Sequence, residues 1–201
     1  MSRETAHPVR DPLALFELAF ADALGREPVD ATAVTLATVD AEGFPDARVV
    51  LLKGVDRRGF IFYTNYASHK GRQLDGSGRA ALCFLWPQGL EQVRVRGAVS
   101  RVSGEESDAY FASRPRGSQI GAWASRQSEV LGDRAELERR VAELEEQYRG
   151  TSVPRPDHWG GYLLTPLAVE FWYGRESRLH DRHLYLRGSP SEPWSHQRLS
   201  P

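Results

Sequence analysis

Several common signals are absent from this sequence, and each absence excludes a class of protein. The chain has one cysteine, Cys83, so an internal disulfide framework is excluded. Nowhere do roughly 18 apolar residues run together, and the opening MSRETAHPVRD lacks an apolar export segment. We therefore expect a cytoplasmic protein that does not have a membrane as a partner.

A strong charge of either sign is also absent. The chain carries 26 basic and 27 acidic side chains, which gives a formal net charge of -1 at pH 7. No global basic field draws it onto nucleic acid or onto an anionic membrane. We expect no nucleic-acid partner, and any anion site must come from a local cluster of cations.

What the sequence does contain is a series of short strand patterns, rich in β-branched and aromatic residues. Turn signals between the first three of them predict an antiparallel meander. A loop is predicted before the sixth, and only a short tail follows the last. The predicted strands are 33–40, 47–56, 59–65, 79–86, 91–102, 162–166, 167–174 and 178–187, with the loop at 152–161.

Helical patterns flank these strands. Asp11 and Pro12 open a helix that Gly25 ends, and further helices are predicted at 68–74, around 105–125 and at 133–150. The apolar stripe on the last helix spans too few heptads for a coiled coil. We expect that helix to pack on a barrel or on a partner subunit.

The pattern as a whole predicts one domain. Strands are flanked by helices without the regular alternation that builds parallel sheets, which is typical of an α+β barrel. A length of 201 residues suits one domain with a substantial core. We predict a single domain over residues 1–201, in which residues 1–10 form a flexible arm.

The stretch SRLHDRHLYLRG at 177–188 places three arginines, two histidines and an aspartate in a predicted strand. Three chemistries compete: a metal site, a proton relay, or a clamp for an anionic ligand. In a strand, His180 lies on the same face as Arg178 and Arg182, whose charges oppose a dication, and no cysteine or acidic cluster completes a ligand shell. We predict no metal. A solvated, charged strand face is the structural alternative.

Three further clusters carry cations and hydroxyls that suit a phosphate. A helix N-terminus adds free backbone N–H groups and a partial positive charge, which favour an anion. Two phosphate-type sites in a chain without net positive charge indicate a ligand rather than a general basic surface. The clusters are Arg48 with Lys53 around an apolar run, Ser68, His69 and Lys70 at a predicted helix start, and Tyr110, Arg114 and Ser118 at helical spacing that Pro115 interrupts.

Longer motifs give these clusters a family context. The segments RVVLLKG, FYTNYASHKGRQL, EQVRVRG, YFASRPRGSQIGAWASRQS, VPRPDHWGGY, EFWYG, RLHDR and the final RLSP follow one another in this order. In order and spacing they resemble the FMN-dependent pyridoxamine/pyridoxine 5'-phosphate oxidases, over residues 11–201. The resemblance implies an α+β fold, the FMN-binding split β-barrel with flanking helices and antiparallel strands. It also implies a homodimer with FMN at the subunit interface.

Carried over by position, the resemblance implies residue roles. FMN is the implied cofactor, and the implied partners are a small phosphorylated pyridine substrate and O2. The implied FMN contacts are Arg48, Val49, Val50, Leu51, Leu52, Lys53, Tyr63, Thr64, Ser68, His69, Lys70, Gln92, Gln127, Ser128, Trp172 and Arg182. The implied substrate contacts are Lys53, Tyr110, Arg114 and Ser118 around the phosphate, with Arg178 and His180 over the pyridine ring as the catalytic pair.

The activity that the resemblance implies is oxidation of pyridoxamine or pyridoxine 5'-phosphate to pyridoxal 5'-phosphate, with release of H2O2. Two alternatives stay open: a related flavin oxidase of phenazine-type, tricyclic biosynthesis, and a non-catalytic protein that binds flavin or pyridoxal phosphate. The sequence departs from the family pattern at His69, where an arginine is usual, and at Tyr173, where glutamine is common. The family's Arg-Arg-x-Tyr-type segment also lacks a match near the N-terminus, which leaves room for a larger substrate.

Overall fold

The computed structural model of the protein describes residues 11–201, so the predicted arm at 1–10 lies outside the described residues. Within that range, α-helices and β-strands alternate irregularly along the chain. The helices are α1 Pro12–Arg26, α2 His69–Ser77, α3 Gly104–Ser113, α4 Arg116–Ala124 and α5 Arg134–Gln147. The strands are β1 Ala33–Val39, β2 Pro45–Leu51, β3 Gly54–Asp56, β4 Gly59–Asn65, β5 Arg79–Trp86, β6 Glu91–Arg101, β7 Trp159–Tyr173, β8 Asp181–Leu186 and β9 Ser195–Leu199.

These strands form one antiparallel sheet that curls into a half-barrel. Its main path has the order β2-β1-β5-β6-β7-β4-β3, and β8 pairs with both β7 and β9. The segment between β2 and β3 joins the two ends of this path. There the Leu52 N–H donates to the Thr32 carbonyl at 2.8 Å, and the Lys53 N–H donates to the Ile61 carbonyl at 2.8 Å. The predicted α+β class with antiparallel strands and flanking helices is confirmed.

The order of the first strands differs from the predicted meander. β1 pairs with β2 and β3 pairs with β4, but the other neighbour of β4 is β7. The predicted strand at 47–56 breaks after Leu51, where the chain crosses from one end of the sheet path to the other. Turn signals report only local reversals, so they predicted the two hairpins but missed this long-range closure.

The middle of β7 also departs from the prediction. A loop at 152–161 and a break near Pro166 were expected, yet the strand runs unbroken from Trp159 to Tyr173. Proline cannot donate to a strand ladder, and the register with β6 shifts at Gly97, the residue opposite Pro166. A Cβ on Gly97 would lie 1.9 Å from the Thr165 carbonyl oxygen, so glycine allows this close approach.

The C-terminal part of the prediction needs two further corrections. The last predicted strand begins at Asp181, because residues 176–178 form a 3-10 turn before it. The tail that was expected to be short contains β9, which pairs with β8. Its sequence, SHQRL, is mostly polar and exposed, and such an edge strand carries little hydrophobic signal.

The main core lies between α1 and the inner face of the sheet. The Asp11 side chain accepts from the Leu13 N–H at 3.0 Å and caps α1, as predicted. Phe16 is fully buried, with its ring centroid 4.8 Å from that of Phe60 and 4.9 Å from that of Phe84. Burial of each such ring stabilises the fold by roughly 1.5–3 kcal/mol.

A second, smaller core lies where α3, α4 and α5 meet the start of β7. Phe111, Ile120 and Trp159 are buried in it, and Val141 and Leu144 of α5 pack against it. The apolar stripe of α5 therefore packs within the domain, as one of the expected alternatives for this helix. This second core supports one wall of a cleft between the helices and the sheet.

Candidate functional site

The cleft between the sheet and the α3–α4 pair contains many of the predicted site residues. Its volume is about 460 Å³, within the range of small-molecule sites, roughly 300–1,000 Å³. Distant parts of the chain meet here because the half-barrel brings β2, β4 and α2 opposite α3 and α4. The predicted residues that line it are Val49, Val50, Leu51, Lys53, Tyr63, Thr64, Lys70, Tyr110, Arg114, Ser118 and Gln127.

The break between β2 and β3 places Lys53 in the cleft. In a flat strand, Arg48 and Lys53 would point to opposite faces, because they are an odd number of positions apart. The strand ends at Leu51, Leu52 is buried in the core, and Lys53 follows with its side chain in the cleft lining. A bend in the chain is therefore what brings this cation to the site.

The junction of α3 and α4 brings three other predicted residues together. α3 ends at Ser113, Arg114 is its C-cap in an extended conformation, and Pro115 precedes the first residue of α4. Tyr110, Arg114 and Ser118 all line the cleft. Because Pro115 interrupts their helical spacing, either a loop or a second helix was expected to restore their convergence, and α4 is that helix.

The cleft is electrostatically suited to an anion. Among the described residues that line it, Lys53, Lys70 and Arg114 are cations and none is Asp or Glu. Arg114 Nη1 is buried and has no hydrogen-bond partner, and burial lowers the pKa of this guanidinium. A buried donor left unsatisfied costs about 1–3 kcal/mol, and more when charged. An anionic ligand would offset that cost.

Aromatic rings form one wall of the cleft. The centroids of Tyr63 and Tyr110 are 3.9 Å apart at 17°, and those of Tyr63 and Trp159 are 5.6 Å apart at 12°. The Arg114 guanidinium lies over the Trp159 ring. Burial raises the pKa of the Tyr63 and Tyr110 hydroxyls, so both stay protonated and able to donate at neutral pH.

The first turn of α2 contributes Lys70 to the cleft. Its Nζ donates to Gln127 Oε1 at 3.1 Å, and the Thr64 hydroxyl donates to the same oxygen at 3.3 Å. Burial lowers the pKa of Lys70, and nearby Arg48 adds to the effect. Two donors that converge on one acceptor oxygen beside a helix N-terminus match the needs of a phosphate oxygen.

Ser68 and His69 stand beside Lys70 but do not line the cleft. The Ser68 hydroxyl accepts from the Gly71 N–H at 3.2 Å and donates to the Asn65 carbonyl at 2.7 Å, so it caps α2. The His69 N–H donates to Ser128 Oγ at 3.3 Å, and its side chain is exposed. Contacts of Ser68, His69 and Ser128 with FMN therefore stay predictions.

Arg48 also lies outside the cleft lining. Its Nη2 donates to Gln73 Oε1 at 3.1 Å and its Nη1 donates to the Leu36 carbonyl at 3.3 Å, while Thr38 and Asp46 contact the same guanidinium. These partners, on β1, β2 and α2, hold it next to α2, on the same face of β1 as the buried Leu36 and Thr38. Its predicted contact with FMN stays a prediction, as does that of the buried Leu52.

A second group of predicted residues lies on β6, β7 and β8. Gln92 pairs directly with Trp172, and Trp172 pairs with Arg182, so their side chains share one face of the sheet. The centroid of the His180 ring lies 4.5 Å from that of Trp172. We call Gln92, Trp172, His180 and Arg182 the β7–β8 patch.

The turn before β8 positions His180. Ser177 and Arg178 have φ values of 56° and 62°, a left-handed conformation that costs free energy for residues other than glycine. The Arg175 side chain pairs with Asp181 at 2.7 Å, and the Arg175 N–H donates to His180 Nδ1 at 3.1 Å. The neutral His180 ring therefore carries its proton on Nε2. The prediction that Arg178 and His180 lie on the same face of a strand was wrong, because the chain forms this turn there and the strand begins only after it.

Within one copy of the chain, the cleft and the β7–β8 patch stay apart. Thr64 of the cleft pairs with Gly160, near the start of β7, whereas the patch centres on Trp172 near its end. At about 3.3 Å per residue, the path along β7 from Gly160 to Trp172 is roughly 40 Å. No residue of the patch lines the cleft in the described part of the chain.

The sequence prediction missed several residues that line the cleft. Gly121, Ala122 and Ser125 follow Ser118 at helical spacing, which is the signal that could have identified them. Trp159 lies in the motif VPRPDHWGGY but was not singled out, because that motif was expected to be a loop. Asn65 ends β4, and no pattern in the sequence marks it as a site residue.

Residues 11–201 contain neither a helix suited to span a membrane nor a cluster suited to a metal ion. None of the helices in this range combines the length and the apolar character needed to cross a membrane. Over the same residues, no group of three or more His, Cys, Asp or Glu side chains is placed to hold a metal ion.

Comparison with protein families gives two matches that together cover most of the chain. Residues 20–148 match the family described as pyridoxamine 5'-phosphate oxidase. Residues 159–201 match the pyridoxine 5'-phosphate oxidase C-terminal dimerisation region. The second match contains β7, β8 and β9, and hence Trp172, His180 and Arg182 of the β7–β8 patch.

Curated relatives agree with these matches. A pyridoxine/pyridoxamine 5'-phosphate oxidase of Rubrobacter xylanophilus is 54% identical over 191 residues, which are 95% of this chain and 87% of the relative. One of the same name from Paraburkholderia phytofirmans is 52% identical, over 100% of this chain and 93% of its own length.

Solved structures show the same fold. PhzG from Burkholderia lata, in complex with tetrahydrophenazine-1-carboxylic acid, has a TM-score of 0.90 and 32% identity, covering 100% of this chain and 98% of its own. A pyridoxamine 5'-phosphate oxidase-related, FMN-binding protein of Nostoc punctiforme has a TM-score of 0.74 and 22% identity, covering 92% and 97% of the two chains. The predicted split β-barrel is confirmed, and the chain belongs to the pyridoxamine/pyridoxine 5'-phosphate oxidase family of FMN-dependent oxidoreductases.

Proposed function

We propose that this protein is an FMN-dependent oxidase that converts pyridoxamine or pyridoxine 5'-phosphate to pyridoxal 5'-phosphate, with O2 as acceptor and H2O2 as product. The observation that carries the proposal is the Nη1 atom of Arg114, which is buried and has no hydrogen-bond partner. The described residues that line the cleft around it include no carboxylate. A substrate phosphate gives this guanidinium its acceptor. The cytoplasmic location and the single domain over residues 1–201 remain predictions.

The residues present fit FMN, which combines a phosphate with a flat aromatic ring system. In the cleft, Lys70 and Thr64 converge on one acceptor position next to the N-terminus of α2, which suits a phosphate oxygen. On the β7–β8 patch, Trp172 offers an aromatic face and Arg182 offers N–H donors. The chemically matched groups therefore lie on two separate surfaces.

A homodimer with FMN at its interface would join those two surfaces. In a two-fold dimer the same pair of surfaces meets twice, so the cleft of each copy can face the β7–β8 patch of the other. Apolar side chains are exposed beside both: Val49 is 64% exposed at the cleft, and Leu85, the strand partner of Gln92, is 60% exposed. Exposed apolar side chains of this kind are typical of a surface that a partner subunit covers, which supports this arrangement.

Within such a site the side chains have separate tasks. Lys53 and Arg114 offset the charge of the substrate phosphate, and the Tyr110 and Ser118 hydroxyls donate hydrogen bonds to it. When bound, FMN supplies the redox chemistry, namely acceptance of a hydride and reoxidation by O2. The task of the protein is to hold the substrate C4' carbon against the flavin ring.

Arg178 and His180 of the second copy cover the pyridine ring in this proposal. Because His180 Nδ1 already accepts from the Arg175 N–H, the neutral ring presents its Nε2–H to a ligand. His180 therefore acts as a hydrogen-bond donor to the substrate ring, for example to its 3-oxygen, and not as a base through Nε2. Arg178 adds a permanent positive charge on the same side.

A second candidate function is oxidation of a tricyclic substrate of the phenazine type. The likeness to PhzG, with a TM-score of 0.90 over the whole chain, favours it. The ligand of that structure is a carboxylic acid, which offers two oxygens and one negative charge. The cleft brings together two cations and two hydroxyls, from Lys53, Arg114, Tyr110 and Ser118. This set better matches the three terminal oxygens and near-double charge of a phosphate.

The test is to purify the protein, saturate it with FMN and add either pyridoxine 5'-phosphate or a dihydrophenazine carboxylic acid in air. We expect aldehyde and H2O2 in equal amounts from the vitamer phosphate. Unphosphorylated pyridoxine is the matched control, because it lacks only the group that Arg114 would bind. Turnover of the tricyclic acid alone would favour the second candidate, and equal turnover of pyridoxine with and without phosphate would contradict the proposed role of the cleft.

A further inference from the structure

We infer that the Glu170 carboxylate and the Ser200 carbonyl are positioning groups for Arg182, and that together they fix the direction in which its guanidinium meets a bound flavin. This inference rests on the proposed function, because it concerns the FMN side of the same site. It assigns a task to Glu170 and to the C-terminal RLSP motif, which the proposal above leaves without one.

Glu170 lies between two arginines on neighbouring strands. Its side chain is 9% exposed, its Oε2 accepts from Arg94 Nη1 at 3.1 Å, and its Oε1 accepts from Arg182 Nε at 2.8 Å. Strand register explains the arrangement, since Arg94 is the direct partner of Glu170 on β6. Glu170 precedes Trp172 by two residues, so both side chains leave the same face of β7.

Arg182 is held from two sides. Its Nε and Nη2 atoms both lie 2.8 Å from Glu170 Oε1, and its Nη1 donates to the Ser200 carbonyl at 2.8 Å. Ser200 comes directly after β9, whose Leu199 is the strand partner of Arg182. The end of the chain is therefore placed against the guanidinium by the same sheet that carries it.

This double attachment leaves a defined part of the guanidinium for a ligand. An arginine has five N–H donors in a rigid plane, and Glu170 and Ser200 engage three of them. The other two, one on Nη1 and one on Nη2, have fixed directions at a side chain that is still 26% exposed. Direct strand pairing places Arg182 beside Trp172, so these donors lie next to the proposed flavin wall.

Arg94 provides a matched comparison. It binds the same carboxylate, but its side chain is 47% exposed. If Glu170 formed only structural ion pairs, replacement of Arg94 and replacement of Arg182 would affect FMN binding equally. A positioning role makes them different, because only Arg182 is predicted to contact FMN.

The experiment measures the dissociation constant of FMN for the apoprotein, by quenching of flavin fluorescence, together with the visible spectrum of the bound flavin. The variants are Arg182→Met, Glu170→Gln, a chain that ends at Leu199, and Arg94→Met as the control. Thermal unfolding of each apoprotein reports on folding separately. We expect Arg182→Met and Glu170→Gln each to weaken FMN binding by about tenfold, the size of one charge-assisted hydrogen bond.

The combined variants make the test specific for positioning. If Glu170 acts through Arg182, then Glu170→Gln should add little to Arg182→Met, and both should shift the flavin spectrum in the same way. The chain that ends at Leu199 should weaken binding about threefold, and it leaves β7 untouched if the Glu170 variant fails to fold. Arg94→Met should keep the wild-type dissociation constant within about twofold.

Two results would overturn the inference alone, and a third, distinguishable from them, would overturn the proposed function as well. Wild-type affinity in both the Glu170 variant and the chain ending at Leu199 would overturn it alone. So would full additivity of Glu170→Gln with Arg182→Met. A folded wild-type protein that takes up no FMN would instead overturn the proposed function, and the inference with it.

Discussion

The Arg114 guanidinium lies 4.5 Å from the centroid of the Trp159 ring, and Trp159 lies parallel to Tyr110, with centroids 6.2 Å apart at 6°. One ring thus supports two of the residues that the proposed substrate phosphate contacts. Trp159 itself is buried in the second core with Phe111. The packing of the helices in that core therefore determines where the residues of the anion site lie.

The first prediction concerns Trp159. Replacement by Leu removes a desolvated cation–π contact of about 2 kcal/mol, so kcat/KM for pyridoxine 5'-phosphate should fall about 20- to 30-fold. Trp159→Phe keeps an aromatic face and should lose less. The measurement is steady-state kinetics on both variants, with thermal unfolding as the control for the second core. A loss of the same size in an Arg114→Met background would show that Trp159 does not act through Arg114.

The second prediction concerns Arg114. Arg114→Met removes the buried donor and should raise KM for the vitamer phosphate by roughly 10- to 100-fold, the loss expected for hydrogen bonds to a charged group. FMN affinity should stay within about twofold, because Lys70 and the β7–β8 patch carry that ligand. Arg114→Lys keeps the charge but lacks the paired, coplanar N–H donors of a guanidinium, and should recover only part of the loss. Unchanged KM in Arg114→Met would place the phosphate elsewhere.

The third prediction is a pH dependence that arises from Lys70. Its pKa is lowered by burial and by Arg48, so it loses its positive charge at a lower pH than an exposed lysine with a pKa of about 10.4. The FMN phosphate is already doubly ionised above about pH 7. Affinity for FMN should therefore fall as pH rises through the lowered pKa of Lys70. The measurement is the FMN dissociation constant at a series of pH values from neutrality up to the pKa of an exposed lysine, about 10.4.

Lys70→Arg is the matched control for that experiment. Arginine stays protonated up to about pH 12, so the variant should bind FMN with nearly constant affinity over the same range. If the variant and the wild type lose affinity in parallel, another group is responsible and the assignment of Lys70 to the FMN phosphate is contradicted.

The fourth prediction concerns His69, which stands where the family usually has arginine. Its side chain is exposed at the first residue of α2, where a permanent cation would reach a phosphate bound near Lys70. His69→Arg should tighten FMN binding by about three- to fivefold at neutral pH, since the charge is added at a partly solvated site. His69→Gln is the neutral control and should change affinity little. Equal affinity in all three proteins would remove His69 from the cofactor site.

Much of the fold could be predicted from local patterns. The capping of α1 by Asp11 and most strand segments follow from side-chain type alone. The continuity of β7 through Pro166 could not be predicted, because a register shift opposite Gly97 accommodates the proline. That compensation lies on a strand distant in sequence, and no local pattern contains it.

The site, like the fold, could be predicted only where local spacing in the sequence carries the information. Spacing indicated that Tyr110, Arg114 and Ser118 converge, and α4 brings them together after Pro115. The turn that gives Arg178 a positive φ was missed, because the charged residues around it also suit a strand. The separation of the cleft from the β7–β8 patch depends on the order of the strands in the sheet. Short sequence motifs do not contain that order.

The central claim is that the cleft of one copy and the β7–β8 patch of another form each active site. The most direct test mixes two variants that are nearly inactive at substrate concentrations well below the wild-type KM, Arg114→Met in the cleft and His180→Ala in the patch, under conditions that allow subunits to exchange. A two-fold dimer should then regain about a quarter of wild-type activity, because half of the dimers are mixed and each has one intact site. If each site comes from a single copy, the mixture stays as inactive as its components, and the account is contradicted.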